Sequence, residues 1–380
     1  MANDSNFSEF NQFNVTQIGQ NFGNDGNNVT SSPTGPLPQE PFFTQLEVAV
    51  LGTIICLMSI IGIILNSITF FAILLDTKLK NSVFNVFISS LCVSDFFSSI
   101  SNPLTFFTLM GTHKDYLFSD IVCKLHTAVD IWTTICTIQH ILVFSLLRLV
   151  AVSYPHHIKR ISVLMAKIGV AFIWLETFGV SFVPYFYFMG VFKGSHLDPN
   201  VMLCRGGGQT IIAFSQYVKY SYPIIFYAPM MLVVICSIAL IYLMIRRKLS
   251  KEALGNGRKT KDENFAILQL SLILLSFLIG YIPDVARRLF NTNNSLKTKS
   301  DLLIYIIPIF ILRFSECLNP VFYNISPSSI RNASVDLLKK LFCCWKRDSR
   351  HLQESERDRR RLPGSQETKF SEQNTRKTNA

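Results

Sequence analysis

Two charged residues lie inside a long apolar stretch of this sequence, the run from Cys123 to Pro155. Asp130 falls near the start of the run and Arg148 near its end, about 27 Å apart if the run is helical. The run is long enough to cross a bilayer, where charged side chains are costly, so each charge is a functional candidate. Such a helix would hold one charge beneath each surface of a membrane and could connect events on its two sides.

Further apolar stretches of similar length surround this one. The chain of 380 residues is 49% hydrophobic, contains 32 phenylalanines and has a mean hydropathy of +0.31, which is too apolar for an ordinary soluble protein. The predicted membrane spans are 48–75, 82–110, 120–152, 165–192, 214–245, 264–290 and 300–323. We therefore predict an all-α integral membrane protein, a seven-transmembrane helix bundle that occupies residues 47–323.

The basic residues are divided unequally between the loops on the two sides of the bundle. One side carries Lys78, Lys80, Lys159, Arg160, Arg246, Arg247, Lys248, Lys251, Arg258, Lys259 and Lys261. The other side carries only Lys114, Lys193, Arg205, Lys297 and Lys299. Because an excess of Lys and Arg marks cytoplasmic loops, the N-terminus is predicted to be extracellular. The net charge of +11 thus serves membrane topology and does not indicate nucleic-acid binding.

The two ends of the chain differ in composition from the apolar blocks. Residues 1–46 contain no Lys or Arg and are too polar to form a core, which predicts a disordered extracellular tail. Its glycosylation sequons are at Asn3, Asn6, Asn14 and Asn28. Residues 324–345 predict a short amphipathic eighth helix on the inner surface, with palmitoylation of Cys343 and Cys344. Residues 346–380 are charged and predict a disordered cytoplasmic tail.

The nine cysteines lack the paired spacing of a metal site. Those inside predicted spans, interpreted as packing residues, are Cys56, Cys92, Cys136, Cys236 and Cys317. Cys123 and Cys204 instead flank spans on the same predicted side, which is oxidising. We therefore predict a disulfide between them, although their separation along the chain does not establish it.

Landmark residues occur in order along the predicted spans. They are Asn66, Asp95 in LCVSD, Cys123, Arg148, Trp174, Pro229 in FYAP, Phe277 and Pro283 in FLIGYIP, and NPVFY at 319–323. With these landmarks, residues 47–345 resemble the rhodopsin-like (class A) G-protein-coupled receptors. An Asn-Pro-x-x-Tyr motif that closes a seventh span is the most specific of them.

The resemblance implies a receptor at the plasma membrane, with an extracellular ligand bound in the outer half of the bundle. The sixth helix would then swing outward and open an inner cleft for a heterotrimeric G protein, and arrestin would bind the phosphorylated tail. The Cys123–Cys204 bridge would tie the third helix to the second outer loop. The residues that the resemblance assigns to activation are Arg148, Glu263, Phe277, Pro283, Asn319, Pro320 and Tyr323.

The third predicted span departs from the family, because Leu147-Arg148-Leu149 stands where Asp-Arg-Tyr is usual. The acid that normally pairs with the arginine is missing, and a desolvated arginine needs a partner. We hypothesise that Arg148 pairs with Glu263 or Asp262 at the start of the sixth span, a weaker lock that would raise basal signalling. The alternative is that Arg148 extends to the inner headgroups.

The outer half of the bundle carries charges of both signs. Asp130 falls where amine receptors bind a ligand ammonium, and Arg313 falls where opsins carry the lysine that binds retinal. An arginine stays protonated and cannot form that Schiff base, so Arg313 and Asp130 are expected to pair, which favours a peptide or small polar ligand over an amine. The candidate ligand-binding residues are Asp130, Thr134, Ser221, Tyr281, Asp284, Arg288 and Arg313.

The sixth span has Gly280-Tyr281-Ile282-Pro283 in place of the usual Cys-Trp-x-Pro. Tyr281 either acts as the aromatic switch at the floor of the pocket or simply packs in the core. Farther out, Asp284 is an alternative anchor for a cation. Arg287 and Arg288 either attract acidic groups of a ligand or pair with acids of the outer loops.

Part of the family's internal sodium site is also present. The residues of this polar network are Asp95, Thr137, Ser315, Glu316 and Asn319. Glu316 adds a second carboxylate near Asp95, and two close buried acids cannot both ionise cheaply, so one is expected to be protonated or paired with Arg313. We expect no cofactor apart from a sodium ion near Asp95. The alternative is a purely structural polar core.

Three other functions are alternatives to a ligand-activated receptor. The first is an opsin relative without the retinal lysine, light-insensitive or constitutively active. A transporter or channel would need matching repeat halves, and the sequence shows no internal repeat. A membrane enzyme would need a nucleophile with a base or a cluster of metal ligands, and the sequence suggests neither, so no enzymatic activity is expected.

Overall fold

The computed structural model describes residues 43–110, 116–158, 160–193, 202–207, 210–253, 272, 275–287, 299–325 and 329–341. Several sites predicted from the sequence lie outside these residues, namely Asn3, Asn6, Asn14, Asn28, Glu263, Arg288, Cys343 and Cys344. Within the described part, five helices are long and apolar enough to cross a membrane. Two further helices complete the seven-helix bundle that the sequence predicts.

The helices follow the predicted spans closely. They are α1 (Gln45–Leu75), α2 (Val83–Met110), α3 (Asp120–Ser153), α4 (Val163–Phe188), α5 (Ile211–Tyr222, Pro223–Tyr227 and Ala228–Ala253), α6 (275–287), α7 (Lys299–Ile325) and α8 (329–341). A single helical turn, Pro155–Ile158, follows α3.

α1 shows the burial pattern of a membrane helix. It begins with a capping box, in which the N–H of Glu47 donates to Thr44 Oγ1 at 3.2 Å and the N–H of Thr44 donates to Glu47 Oε2 at 2.9 Å. Its buried face is mostly small or polar, consisting of Gly52, Ile55, Ser59, Gly62, Asn66, Thr69, Ala72 and Ile73. Large apolar side chains point outward, as expected where lipid is the solvent and small residues let helices approach closely.

α3 is the central helix of the bundle. It contacts α2, α4, α5 and the two strands of the small sheet described below. It is buried along most of its length, and the buried positions include Asp130, Thr137 and His140. Polar groups at such positions need partners inside the protein, so α3 is where a polar site can be built.

α4 and α5 each pass through one π-helical turn next to a proline. The turn Phe178–Phe182 precedes Pro184 in α4, and the turn Pro223–Tyr227 begins with a proline in α5. Proline has no N–H, and its ring displaces the carbonyl four residues earlier. The wider turn absorbs this mismatch without ending the helix.

A two-stranded antiparallel sheet follows α4 and corrects the sequence prediction. β1 (Met189–Lys193) pairs with β2 (Met202–Gly206), and Val191 lies opposite Cys204. The fourth span was expected to continue to residue 192, but its helix ends at Phe188. The N–H of Val191 donates to Asp120 Oδ1 at 2.9 Å, so the strand is held against the start of α3.

α8 has an inward stripe spaced by three and four residues. The stripe consists of Ile330, Ala333, Ser334, Leu337 and Leu338. Ile330 and Ala333 pack on the main core of the bundle, whereas Lys339 and Lys340 are exposed. A helix with one buried face is therefore present here, and its placement on the inner membrane surface stays a prediction.

Candidate functional site

A group of buried polar residues joins four helices in the middle of the bundle, and we call it the central polar cluster. Its members are Asp95, Ser98 and Ser101 of α2, Asp130 and Thr137 of α3, Tyr281 of α6, and Arg313, Glu316 and Asn319 of α7. Charged residues at this depth are unusual, and the sequence predicts a network of Asp95, Asp130, Arg313 and Glu316.

Arg313 is the centre of this cluster. One of its terminal nitrogens donates to Asp130 Oδ1 of α3. The other donates to Ser98 Oγ at 2.6 Å and to Glu316 Oε2 at 3.1 Å. The predicted pairing of Arg313 with Asp130 is thus confirmed, and the guanidinium links α2, α3 and α7 through charge-assisted hydrogen bonds.

Glu316 connects Arg313 to the sixth helix. Its Oε2 accepts a hydrogen bond from Ser98 Oγ at 2.7 Å, and its Oε1 accepts one from the Tyr281 hydroxyl at 3.3 Å. The ring of Tyr281 stacks on Phe277, with ring centroids 4.4 Å apart. Tyr281 is thus a buried core aromatic that also bonds to the ion-pair network, and its role as an aromatic switch stays a prediction.

The approach of α6 to α7 depends on Gly280. A Cβ at this position would lie 2.6 Å from Cβ and 2.7 Å from Oγ of Ser315, closer than real Cβ atoms come to their neighbours. The missing side chain lets α6 pack near enough for Tyr281 to reach Glu316. The Ser315 hydroxyl itself donates to the Ser276 carbonyl at 2.8 Å, which places it in the contact between α6 and α7.

Asp95 lies in the part of the cluster toward Asn319. The Thr137 hydroxyl donates to Asp95 Oδ1 at 3.2 Å, and the Asn319 amide donates to Asp95 Oδ2 at 2.9 Å. The Oδ1 atom of Asn319 is buried, and among the described residues it has no hydrogen-bond partner. Oxygen atoms from Asp95, Thr137 and Asn319 thus lie close together, as a hard cation requires.

The charges of the cluster do not balance. Three carboxylates accompany one guanidinium, and the exposed fractions are 0% for Asp95, 1% for Glu316, 8% for Asp130 and 3% for Arg313. Burying unpaired negative charge is costly, so Arg313 is needed to compensate Asp130 and Glu316. One guanidinium balances only one of these two charges, and Asp95 hydrogen-bonds only neutral donors among the described residues, so the cluster has an excess of carboxylates over cations.

The other candidate ligand-binding residues are not gathered at this cluster in the described part. Asp284 is fully buried and pairs with Arg287 of the same helix, with Nη2 and Oδ1 2.6 Å apart. The Thr134 hydroxyl donates to the backbone carbonyl of Asp130 at 2.8 Å. Ser221 lies in α5 beside Tyr222, whose hydroxyl is bonded to that of Tyr185.

The inner end of α3 holds Arg148 against aromatic rings. Its guanidinium carbon lies 4.2 Å from the ring centroid of Phe84 in α2 and 5.1 Å from that of Phe144 in α3. No ion pair of Arg148 occurs among the described residues, and its Nε, which is buried, has no hydrogen-bond partner there. Among the described residues, Arg148 thus has two cation–π contacts in place of the ion pair that is usual in the family. Its other predicted partner, Glu263, lies outside the described residues.

The remaining activation residues lie on α6 and α7. Phe277 and Tyr323 are both 1% exposed, and Pro283 and Pro320 lie within their helices. The outer end of the bundle is tied by the predicted disulfide, which is confirmed between Cys123 at the start of α3 and Cys204 in β2, with Cα atoms 5.5 Å apart.

Three side chains that contact the candidate site were missed in the sequence, namely Ser98, Ser101 and Phe84. Ser98 and Ser101 follow Asp95 at intervals of three residues, so they share its face of α2, and this spacing could have identified them. Phe84 gave no signal, because one phenylalanine among 32 is not distinctive.

A second set of polar contacts lies away from the cluster. The indole N–H of Trp174 donates to Ser90 Oγ at 2.8 Å, and that oxygen lies 2.7 Å from His140 Nε2. These bonds join α2, α3 and α4. His140 is therefore a buried residue that hydrogen-bonds within the core.

Comparisons with known proteins agree with this architecture. The family model "7 transmembrane receptor (rhodopsin family)" matches residues 65–323. The human growth hormone secretagogue receptor type 1 is 26% identical over 316 residues, which cover 78% of this chain and 82% of the receptor.

Two further relatives have different names. The mouse somatostatin receptor type 2 is 20% identical over 331 residues, 87% of each chain. The Gq-coupled rhodopsin of Mizuhopecten yessoensis is 23% identical over 325 residues, 81% of this chain and 63% of the rhodopsin. Because the family model covers more than half of the sequence and its landmarks lie where the seven-helix bundle requires them, this chain belongs to the rhodopsin family of seven-transmembrane receptors.

Proposed function

We propose that this ligand-activated receptor lies in the plasma membrane with its N-terminus outside and signals to a heterotrimeric G protein. Its ligand is a peptide or a small polar molecule bound in the outer half of the bundle. The observation that carries the proposal is the bridge from Arg313 to Asp130 and Glu316. Arrestin binding to the tail and palmitoylation of Cys343 and Cys344 belong to the same proposal.

A ligand acts in this proposal by changing how Arg313 is shared. The guanidinium contacts two carboxylates. A polar ligand group that binds the Asp130 carboxylate would break its bond to Arg313 and leave Arg313 paired with Glu316 alone. Glu316 is also the acceptor for Tyr281, so its rearrangement changes the contact that holds α6 against α7. Outward movement of α6 then opens the inner cleft beside Arg148.

The pairing of Asp130 with Arg313 supports a peptide or small polar ligand over a simple amine. Its carboxylate is already compensated by Arg313, so a simple amine would have to displace a stronger, charge-assisted partner. Relatives named for growth hormone secretagogues and for somatostatin also support a diffusible ligand. A covalent retinal pigment is disfavoured because Arg313 cannot form a Schiff base, and an absorbance scan with added retinal should show no pigment band.

The decisive test is a second-messenger assay in cells that express the receptor, first without ligand and then with panels of peptides and amines. We expect an active peptide or polar compound whose potency falls at least about tenfold in Asp130→Asn. Lys219→Met, which removes an exposed charge from α5, is the matched control and should keep its potency. Activation by light after retinal loading, or by monoamines alone, would contradict the proposal.

A sodium ion near Asp95 is compatible with the donors there. The residues that would hold it are Asp95, Thr137 and Asn319, whereas Glu316 and Ser315 are bonded to Arg313 and Ser276. Sodium chloride should raise the unfolding temperature of the purified receptor relative to choline chloride. Asp95→Asn should abolish that difference, and an equal effect in both proteins would remove the ion from the proposal.

A further inference from the structure

A groove of about 430 Å³ opens on the side of the bundle that would face lipid, between α1, α2 and α4. Its apolar wall includes Ile73 and Leu74 of α1, Val86 of α2 and Val170 of α4. The charged residues among those that line it are two lysines, Lys80 and Lys167. Lipid-facing surfaces are normally apolar throughout, so two cations beside one groove need an explanation.

Both lysines lie at the same end of the bundle. Lys80 is in the turn between α1 and α2, and Lys167 is four residues after Val163, the first residue of α4, or about 6 Å along the helix axis. This is the end at which α3 finishes, and the basic loops predict that it faces the cytoplasm. With that orientation, the ammonium groups would reach the depth of the lipid headgroups.

The other polar groups of the groove are used within the protein. The Asn81 amide donates to the Thr77 carbonyl at 2.9 Å, and the Ser89 hydroxyl donates to the Val86 carbonyl at 2.9 Å. The Ser90 hydroxyl is bonded to Trp174. The ammonium groups of Lys80 and Lys167 are exposed, and the described residues give them no ion pair.

Asp76, the acidic residue of the turn between α1 and α2, is not paired with Lys80 or Lys167. The N–H groups of Leu79 and Lys78 donate to Asp76 Oδ1 at 3.0 and 2.8 Å, and these bonds lower the pKa of the Asp76 carboxyl. The carboxylate is thus engaged by the backbone of its own turn. The groove keeps a net positive charge beside an apolar wall, a combination that matches a phosphate group attached to acyl chains.

We propose that this groove binds an anionic phospholipid of the inner leaflet. The phosphate lies between Lys80 and Lys167, and the acyl chains run along the wall formed by α1, α2 and α4. The inner leaflet carries the anionic lipids, and each basic residue near its surface strengthens their binding by about fivefold. The inference rests on the orientation in the proposed function but not on the nature of the ligand.

The test measures lipid retention by the purified full-length receptor in native mass spectrometry, with phosphatidylserine and phosphatidylcholine of identical acyl chains. We expect the wild type to retain phosphatidylserine preferentially, and Lys80→Gln with Lys167→Gln to weaken that retention about thirtyfold. Lys80→Arg with Lys167→Arg should preserve it, because both positive charges are kept. Lys78→Gln is the matched control, since Lys78 lies in the same turn but outside the groove.

Several outcomes would overturn the proposal. They are equal retention by the wild type and the double glutamine variant, an equal loss in Lys78→Gln, and a preference for phosphatidylcholine or cholesterol. Full displacement of the lipid by inorganic phosphate would assign the site to a soluble anion instead. The assay contains neither agonist nor G protein, so its failure is distinguishable from failure of the signalling proposal.

Discussion

At the scale of single residues, the polar core depends on Arg313. Its guanidinium is bonded to carboxylates of α3 and α7 and to a hydroxyl of α2. A buried ion pair adds little net stability, because desolvation offsets much of the attraction. Removing one partner is different, since the carboxylates that remain would be buried without a counter-charge.

Arg313→Met should therefore destabilise the receptor by about 3–5 kcal/mol, because Asp130 and Glu316 lose their counter-ion. Adding Asp130→Asn and Glu316→Gln should recover much of the loss, since the uncompensated charges are removed as well. Thermal unfolding of the purified protein measures both effects, with Arg205→Met on the exposed face of β2 as the control. A loss no larger than that of the control would mean that the bridge is not structural.

Arg148 supports a second prediction at this scale. Phe84→Leu removes the nearer of its two aromatic contacts, worth about 1 kcal/mol, so ligand-free G-protein activation should rise about fivefold. Phe84→Tyr should keep the basal level, because the aromatic face is retained. Phe71→Leu, which changes a phenylalanine that is 48% exposed on α1, is the control at equal surface expression. No rise in Phe84→Leu, with a rise in Glu263→Ala, would assign the lock to Glu263 instead.

The sequence was most informative where a residue is costly in a membrane. Asp130, Arg313 and Glu316 stand out because charges are rare in apolar spans, and each needs a partner of opposite sign. Ser98 was not recognised, because a serine in a membrane helix is common and its role depends on which helix lies opposite. The Asp284–Arg287 pair was also missed, although a spacing of three residues on one helix allows it.

At the scale of elements, hydropathy predicts the helices well and their interruptions poorly. Spans of lipid-facing side chains give a strong signal because their length is set by the bilayer. β1 continues the apolar run of α4, so hydropathy gives no sign that the helix ends at Phe188. The π-helical turns were not predicted either, since a proline in a membrane helix indicates only that the backbone must adjust nearby.

The contact between α6 and α7 leads to a prediction about a single methyl group. Gly280→Ala should push α6 away from Ser315, weaken the bond from Tyr281 to Glu316 and destabilise the receptor by about 1–3 kcal/mol. Gly179→Ala is a matched control, because a Cβ at Gly179 in α4 meets nothing within 4 Å. Thermal unfolding measures the difference between the two variants, and an equal effect of both would refute the role of Gly280.

At the scale of the whole molecule, polar chemistry is distributed along the axis of the bundle. The disulfide and the sheet lie at one end, the central polar cluster lies in the middle, and Arg148 with the lysine-lined groove lies at the other. α3 connects all three levels, since it carries Cys123, Asp130 and Arg148. Through Asp130 this helix is bonded to Arg313 of α7, and Glu316 of α7 is bonded to Tyr281 of α6, so the cluster offers a path from α3 to both helices.

The orientation of this axis can be tested on the chain itself, because sequons occur near both ends of the sequence. Asn3, Asn6, Asn14 and Asn28 are in the tail predicted to be extracellular, whereas Asn332 begins an Asn-Ala-Ser sequon on the exposed side of α8. Only sequons on the extracellular side meet the glycosylation machinery, and the loop before α7 also carries one, Asn293-Asn-Ser. Changing the four N-terminal asparagines and Asn293 to Gln should therefore remove the mass shift that glycosidase treatment produces. Asn332→Gln should leave that shift unchanged, since α8 is predicted to be cytoplasmic. A glycan on Asn332, with none on the N-terminal sites, would show that the membrane orientation is opposite to the predicted one. The end of the bundle that carries Arg148 could then not face the G protein.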